Sequence, residues 1–162
     1  MRIKFGMFAA GALSILLSAG AFAQSAGDDV GTWLFVSSIR DSDGGKINTY
    51  GAGAEGRMIL DGGGRYSITI IGANLPMFAS GAVFRGTAEE NAAVLGRSNA
   101  HFGTYSVDAA DKSILFRTER GTFPNGDGTS QKRRFSLIGD ELAYVIPLPN
   151  GGTSVVTWRR AK

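Results

Sequence analysis

The chain has 162 residues, of which 43% are apolar, 24 are glycine and none is cysteine. This composition suits one packed domain, and it excludes disulfide bonds, thiolate catalysis and cysteine-ligated zinc. Two of the 17 basic residues, Arg2 and Lys4, lie at the extreme N-terminus, which leaves 15 basic against 14 acidic residues. That balance lacks the basic surplus of a nucleic-acid-binding protein, so no nucleic-acid partner is predicted.

The first 23 residues have the pattern of a secretory signal peptide. After the two basic residues, positions 5–21 are mostly apolar or small, and an A-x-A cleavage site follows at 21–23. We therefore predict a signal peptide at 1–23, a mature chain at 24–162, and a periplasmic or secreted location. An uncleaved membrane anchor is the alternative, which the glycines and serines within the apolar run disfavour. No later stretch reaches the ~20 apolar residues of a spanning helix, so no membrane span is predicted after cleavage.

The mature chain has the pattern of a β-sheet protein. Short runs of alternating apolar and polar residues are separated by clusters of Gly, Asp and Asn, which favour turns. Eight antiparallel strands in a meander protect their edges most directly by closing into an up-and-down barrel. The fold class predicted is therefore all-β, with one domain whose interior holds side chains or one small ligand. The candidate strands lie near 32–40, 56–61, 65–71, 101–107, 113–119, 131–137, 141–146 and 154–160.

One segment predicts a short helix instead. In "GTAEENAAVLGRS", Thr87 and Glu90 have the spacing of a capping box and Gly96 is a stop signal. The preceding residues 72–86 are apolar but aperiodic, and Pro76 discourages regular structure. We expect a long loop there, which is either a lid across one barrel mouth or a crossing loop without a gating role.

An ordered set of short motifs resembles the lipocalin-like domain proteins of bacteria and fungi, a branch of the calycin barrels. The motifs cover most of the predicted mature chain. The chain lacks a T-D-x-Y-like motif, a disulfide pair and a long C-terminal helix, so the resemblance implies the fold more closely than the ligand. The motifs are "GTWLFVSS" at 31–38, "GRMILDGGGRYSI" at 56–68, "GTAEE" at 86–90, "HFGTYSVD" at 101–108, "FPNGDGTSQKRRFSLIGDEL" at 123–142 and "TWRR" at 157–160.

The resemblance implies a structural role for an early tryptophan. In such barrels a G-x-W motif on the first strand closes one end, and an arginine near the end of the last strand covers the ring. Carried over, Trp33 is the barrel plug and Arg159 or Arg160 is its cover, with a cation–π contribution of about 1 kcal/mol. The resemblance also implies a small hydrophobic or amphipathic ligand.

His101 is the single histidine, and it lies on a predicted strand. Alternation places His101 and Tyr105 on the same face of that strand. If this face lines the barrel, both residues are candidates to orient a ligand, and they are the two candidate catalytic residues, with His101 as a general acid or base. A histidine at the rim or surface is the alternative.

The segment "QKRRF" at 131–135 divides its charges between two faces. Arg133 shares a face with Phe135. If this face points inward, Arg133 lies near Glu119 or Tyr66 and is expected to pair with a carboxylate of the protein or of a ligand, because a guanidinium offers two parallel donors. An outward, solvated Arg133 is the alternative, since the sequence leaves open which face points inward. The predicted ligand-binding residues are Tyr66, His101, Tyr105, Glu119, Arg133 and Phe135.

No cofactor or metal site is predicted. "GAGAEG" at 51–56 matches G-x-G-x-x-G, but it leads into a strand where a dinucleotide site requires a helix. One histidine without cysteines supplies no metal cluster, and no G-x-S-x-G motif supplies a serine nucleophile. The leading hypothesis is an exported protein that binds a small, largely apolar molecule. The alternatives are a small barrel enzyme of the cyclase, isomerase or hydrolase type acting on an organic substrate, and a protein-interaction or inhibitor module.

Overall fold

A computed structural model describes residues 27–42, 44–149 and 151–162. The predicted signal peptide at 1–23 lies outside these residues. None of the helical segments that the structure describes has both the length and the apolar character of a membrane-spanning helix. The elements are β1 (Gly31–Ser42), β2 (Gly45–Asn48), β3 (Glu55–Leu60), β4 (Arg65–Ile71), α1 (Ala88–Gly96), β5 (Ser98–Asp108), β6 (Ser113–Gly121), β7 (Ser130–Ile138), β8 (Glu141–Pro147) and β9 (Thr153–Arg160).

Eight strands form a closed antiparallel barrel. From β3 to β9 each strand pairs with the next, and β1 completes the circle by pairing with β3 on one side and β9 on the other. The predicted all-β barrel with one short helix is thereby confirmed. The sequence did not predict β2, a four-residue strand that forms a hairpin with the end of β1 through Ile39↔Asn48 to Ser42↔Gly45.

The core consists of the side chains that point into the barrel. On β3 and β4 every second residue is buried, which is the period of a strand with one face in the core. Burial of this apolar face is the main driving force for closing the sheet. The buried apolar residues are Trp33, Met58, Leu60, Tyr66, Ile68, Ile70, Ile114, Phe116, Phe135, Leu142, Tyr144, Val156 and Trp158.

Two irregularities change which residues point inward. In β1, the register against β9 shifts between Phe35 and Ser37, so Trp33 is buried before the shift and Ser38 after it. In β6, Thr118 and Arg120 pair with successive residues of β5, which leaves Glu119 as the extra residue of a β-bulge. Simple alternation from one end of these strands therefore assigns the wrong face at the other end.

The turn between β3 and β4 is held by one aspartate. Asp61 Oδ1 accepts hydrogen bonds from the backbone N–H of Gly63 at 2.9 Å and of Arg65 at 2.8 Å. Gly64 has φ +77°, a conformation that glycine adopts without the steric cost of a Cβ atom. This turn is thus built from a side-chain acceptor and, at Gly64, a backbone conformation that glycine adopts easily.

Helix α1 begins with the predicted capping box. Thr87 Oγ1 accepts from the N–H of Glu90 at 3.2 Å, and Glu90 Oε2 accepts from the N–H of Thr87 at 2.8 Å. Glu90 Oε1 also accepts from the N–H of Ala79, which ties the preceding loop to the helix. The helix buries no residue, so these caps rather than core packing define its start. Residues 72–86 contain no helix or strand, as predicted.

The barrel has two different ends. One, here called the closed end, carries the start of β1, the end of β9 and the short turns after β3, β5 and β7. The other, here called the open end, carries β2, the loop 72–86, α1, and the connections after β6 and β8. The longer connections therefore all lie at the open end, and any passage into the interior is expected there.

Candidate functional site

The closed end is sealed by Trp33, which is fully buried. Its Nε1–H donates to the carbonyl of Asp29 at 2.9 Å, and the Arg160 guanidinium lies over the ring at 4.3 Å from its centroid. Arg160 Nη1 also donates to the Val30 carbonyl at 3.0 Å, and Nη2 donates to that of Asp28. Arg159, the other predicted cover, is exposed. The structure therefore places Arg160, and not Arg159, across the plug.

A cavity of about 200 Å³ lies inside the barrel toward the open end. Most of its wall is made of inward residues from six strands, and Thr49, Tyr50 and Leu148 come from the loops at the mouth. The wall combines aliphatic side chains with hydroxyl, amide, imidazole and guanidinium groups. The lining residues are Ser38, Arg40, Thr49, Tyr50, Ile68, Ile70, Asn99, His101, Arg133, Tyr144, Ile146, Leu148, Ser154 and Val156.

Arg133 supplies the buried charge of this cavity. It points inward from β7 and is 7% exposed. The guanidinium carbon lies 5.0 Å from the Phe116 ring centroid and 4.8 Å from that of Tyr144. Nη2 donates to Gln131 Oε1 at 2.6 Å, whereas Nε is buried and has no hydrogen-bond partner among the described residues. Two aromatic rings thus position the guanidinium, and its Nε–H remains available as a hydrogen-bond donor.

His101 lines the cavity beside Arg133, and its ring is held by a contact with the Tyr66 hydroxyl. The Tyr66 hydroxyl lies 3.0 Å from His101 Nδ1 and 3.0 Å from Thr118 Oγ1, which is hydrogen-bond distance for both. Burial, with a further contribution from the Arg133 charge, lowers the pKa of His101 to about 4. His101 is therefore a neutral imidazole at neutral pH. Burial also raises the pKa of the Tyr66 hydroxyl, which keeps the phenol protonated.

A second, smaller cavity of about 130 Å³ adjoins the first. The two share three lining residues, Asn99, His101 and Arg133. The second cavity lies where β6 and β7 stop pairing beyond Arg117↔Ser130, and its own wall includes Thr118 and Gln131. Polar side chains are thus concentrated where the two cavities meet, and the aliphatic side chains lie in the larger one.

The other predicted site residues lie apart from the cavity. Tyr105 is near the closed end, where its hydroxyl donates to the Asp61 carbonyl at 2.8 Å. Burial, with a smaller contribution from Asp29, raises the pKa of Tyr105 to about 12. Phe135 is a buried core residue, and Glu119 is exposed; neither is among the residues that line the cavity. The predicted inward position of Glu119 near Arg133 is therefore wrong, because Glu119 alternates with the buried Thr118 and lies on the outer face of β6.

Several lining residues were missed by the sequence analysis. The clearest is the pair Ser38 and Ser154, whose hydroxyls lie 3.2 Å apart inside the barrel. Ser38 Oγ also donates to Thr49 Oγ1 at 3.3 Å, which ties the mouth loop to β1. Alternation within β9 would have indicated an inward Ser154, since Val156 and Trp158 share its face. Ser38 follows the register shift in β1 and had no such signal.

The side chains that line the cavity are suited to binding a small molecule through hydrogen bonds, charge and apolar contacts. Within the described residues, no group of three or more His, Cys, Asp or Glu side chains lies close enough to hold a metal ion. The loop 72–86 adds no lining residue, and its Met77 and Phe84 are 92% and 98% exposed. The groups available to a guest molecule are one buried cation, a neutral imidazole, an amide, hydroxyls and aliphatic walls.

The comparison with protein families identifies the family of this chain. The sequence pattern of the family described as "Lipocalin-like domain" matches residues 30–161. No curated protein matches the chain. Among solved structures, the chain is similar to a redesigned β-barrel, with 12% identity and a TM-score of 0.42 over 82% of this chain and 91% of that one. It is also similar to a de novo designed fluorescence-activating β-barrel, with 16% identity and a TM-score of 0.41 over 82% of this chain and 93% of that one. Because the family pattern spans nearly the whole barrel, the chain belongs to the lipocalin-like domain family.

Proposed function

We propose that this chain is an exported protein that binds a small, amphipathic organic molecule inside its barrel. The observation that carries the proposal is the cavity of about 200 Å³, which has aliphatic walls and a few convergent polar groups. Ligand sites typically combine these two features in one concave space. Membership of the lipocalin-like family supports ligand binding in general terms.

The volume limits the size of the guest. Pockets for drug-sized ligands measure about 300–1,000 Å³, whereas a dry cavity of about 150 Å³ binds benzene. At about 200 Å³, the cavity suits a molecule with a single ring or a short chain. Aliphatic wall residues such as Ile68, Ile70 and Val156 favour an apolar body for that molecule.

Export is supported by the position of the barrel in the sequence. The family match begins at residue 30, after the A-x-A site at 21–23, so cleavage there leaves the whole domain intact. We expect the full chain, expressed with its own leader in a bacterial host, to accumulate outside the cytoplasm with residue 24 at its N-terminus. Intact mass and N-terminal sequencing test this, and an uncleaved cytoplasmic product would refute it.

Native mass spectrometry of the protein purified from its own source tests ligand binding. We expect an extra mass that is lost on denaturation, and a competing small ligand should reduce it. Val156→Phe, which adds volume at a cavity-lining position, should abolish this mass, whereas Val155→Phe on the outward neighbour should retain it. Equal retention by both folded variants would show that the guest binds elsewhere and would refute the proposed site.

A further inference from the structure

Within the part of the chain that the structure describes, the buried Arg133 has no acidic partner. Among the described residues the ion pairs are Lys46–Asp41, Arg120–Asp127, Lys132–Asp111 and Arg160–Asp140, and none includes Arg133. Its hydrogen bond to Gln131 is to a neutral amide, and its Nε is buried without a partner. A buried charge is costly unless it is paired, so this arrangement is poorly compensated by the protein alone.

The groups around Arg133 do not neutralise it. His101, Tyr50 and Tyr144 are the other titratable side chains that line the cavity with Arg133, and Arg40 adds a second positive charge at the mouth. Tyr66 lies behind His101, at hydrogen-bond distance from its Nδ1. The pKa of His101 is about 4, so this ring is uncharged at neutral pH. Among the described residues, no carboxylate lines either cavity, so the lining near Arg133 carries a net positive charge.

We infer that the guest of this barrel carries a carboxylate, which pairs with the Arg133 guanidinium at the junction of the two cavities. This inference rests on the proposed function and names its ligand class. The guest is a small monocarboxylic acid whose apolar body lies in the larger cavity, against Ile68, Ile70 and Val156. Its carboxylate lies at the wall that Asn99, His101 and Arg133 share.

The guanidinium chemistry selects a carboxylate rather than a phosphate monoester. A planar guanidinium offers parallel N–H donors that match the two oxygens of a carboxylate. One buried cation balances a single negative charge, whereas a phosphate monoester carries about −1.5 to −2 at neutral pH and would leave buried charge uncompensated. Arg40 does not remove this mismatch, because it is exposed at the mouth.

Paired probes test the inference on the isotopically labelled protein. The acids are 3-phenylpropanoate and octanoate, and each is compared at pH 7 with its primary amide, which has nearly the same shape without the charge. NMR titration follows the Arg133 Nε–H resonance together with the amides of Ile68 and His101. We expect at least one acid to bind about tenfold or more tightly than its amide, and to shift the Nε–H resonance.

Variants assign the preference to one arginine. Arg133→Gln should remove the preference for the acid, and Arg133→Lys should reduce it, because an ammonium keeps the charge without the planar fork. Arg134→Gln, on the exposed neighbour, should retain the preference. If Arg133→Gln fails to fold, the Nε–H shift of the unmodified protein still decides the question.

The outcomes separate the inference from the proposed function. Equal affinity of acid and amide, with shifts at Ile68 and His101, would overturn the carboxylate inference and leave binding in the cavity intact. Acid binding that leaves the Arg133 resonance unmoved would also overturn it. If no probe shifts the cavity amides, the inference fails, and the proposed function fails with it if native mass spectrometry also yields a bare protein.

Discussion

The contact between Arg160 and Trp33 predicts a specific loss of stability at the closed end. Arg160→Ala removes a cation–π contact at 4.3 Å and the hydrogen bonds to the carbonyls of Val30 and Asp28. A cation–π contact contributes about 0.5–2 kcal/mol and a hydrogen bond to a charged group about 1.5–3 kcal/mol. At the lower ends of these ranges the three interactions total about 3.5 kcal/mol. Since Arg160 is only partly buried, solvent screening reduces this value, and we expect a loss of about 2–3 kcal/mol.

Chemical and thermal unfolding measure this loss. For chains of about 150–250 residues, 1 kcal/mol corresponds to roughly 2–4 °C in Tm. Arg159→Ala is the matched control, because Arg159 is the exposed neighbour on the same strand and surface substitutions usually change stability by less than about 0.5 kcal/mol. Equal stability of the two variants would refute the role assigned to Arg160.

A double-mutant cycle isolates the contact itself. Trp33→Leu removes the aromatic face while keeping an apolar side chain, so Arg160→Ala should cost less in that background. We expect a coupling free energy of about 1 kcal/mol, within the ~0.5–3 kcal/mol found for residues in contact. Additive effects of the two substitutions would mean that the ring and the guanidinium stabilise the barrel independently, which contradicts a covered plug.

Three further changes test other parts of the structure. Gly103→Ala places a Cβ atom 2.0 Å from the Arg117 carbonyl oxygen and should lower the urea midpoint strongly, whereas Gly62→Ala meets no atom within 4 Å and should not. Folding lowers the pKa of His101 from 6.5 to about 4, so between pH 4 and 6.5 the unfolded chain binds more protons than the folded chain. The free energy of unfolding should therefore decrease as the pH drops from 6.5 to 4, and His101→Gln should make this decrease smaller. Thr87→Ala removes a cap worth about 0.5–2 kcal/mol and, since α1 buries no residue, should accelerate hydrogen exchange in α1 without changing global unfolding.

The fold was predictable because its signals are local. Alternation along each strand and the Gly- and Asp-rich turns indicated the eight barrel strands, and the Thr87–Glu90 spacing indicated the start of the helix. Strand β2 (Gly45–Asn48) was missed because three of its four residues are exposed. A strand that buries almost nothing carries no alternating pattern.

The site was less predictable, because alternation gives the face of a residue but not its height in the barrel. His101 and Tyr105 share the inner face of β5, yet they lie four positions apart, which corresponds to about 13 Å along a strand. One lines the cavity, and the other hydrogen bonds to the closed-end turn. Glu119 was misplaced for a different reason: alternation with the buried Phe116 and Thr118 already puts it on the outer face of β6, so the strand pattern gave no support to an inward Glu119.

Two arginines show how the ends of this barrel differ. Both lie over aromatic rings, Arg160 over Trp33 and Arg133 over Phe116 and Tyr144. Arg160 donates to two backbone carbonyls, whereas the Nε of Arg133 has no partner within the described chain. The guanidinium donors of Arg160 thus have hydrogen-bond partners at the closed end, whereas one donor of Arg133 has none among the described residues beside the cavity. Proteins break local rules mainly at functional sites, and this contrast is the physical reason to look for an anion at Arg133 rather than at Arg160.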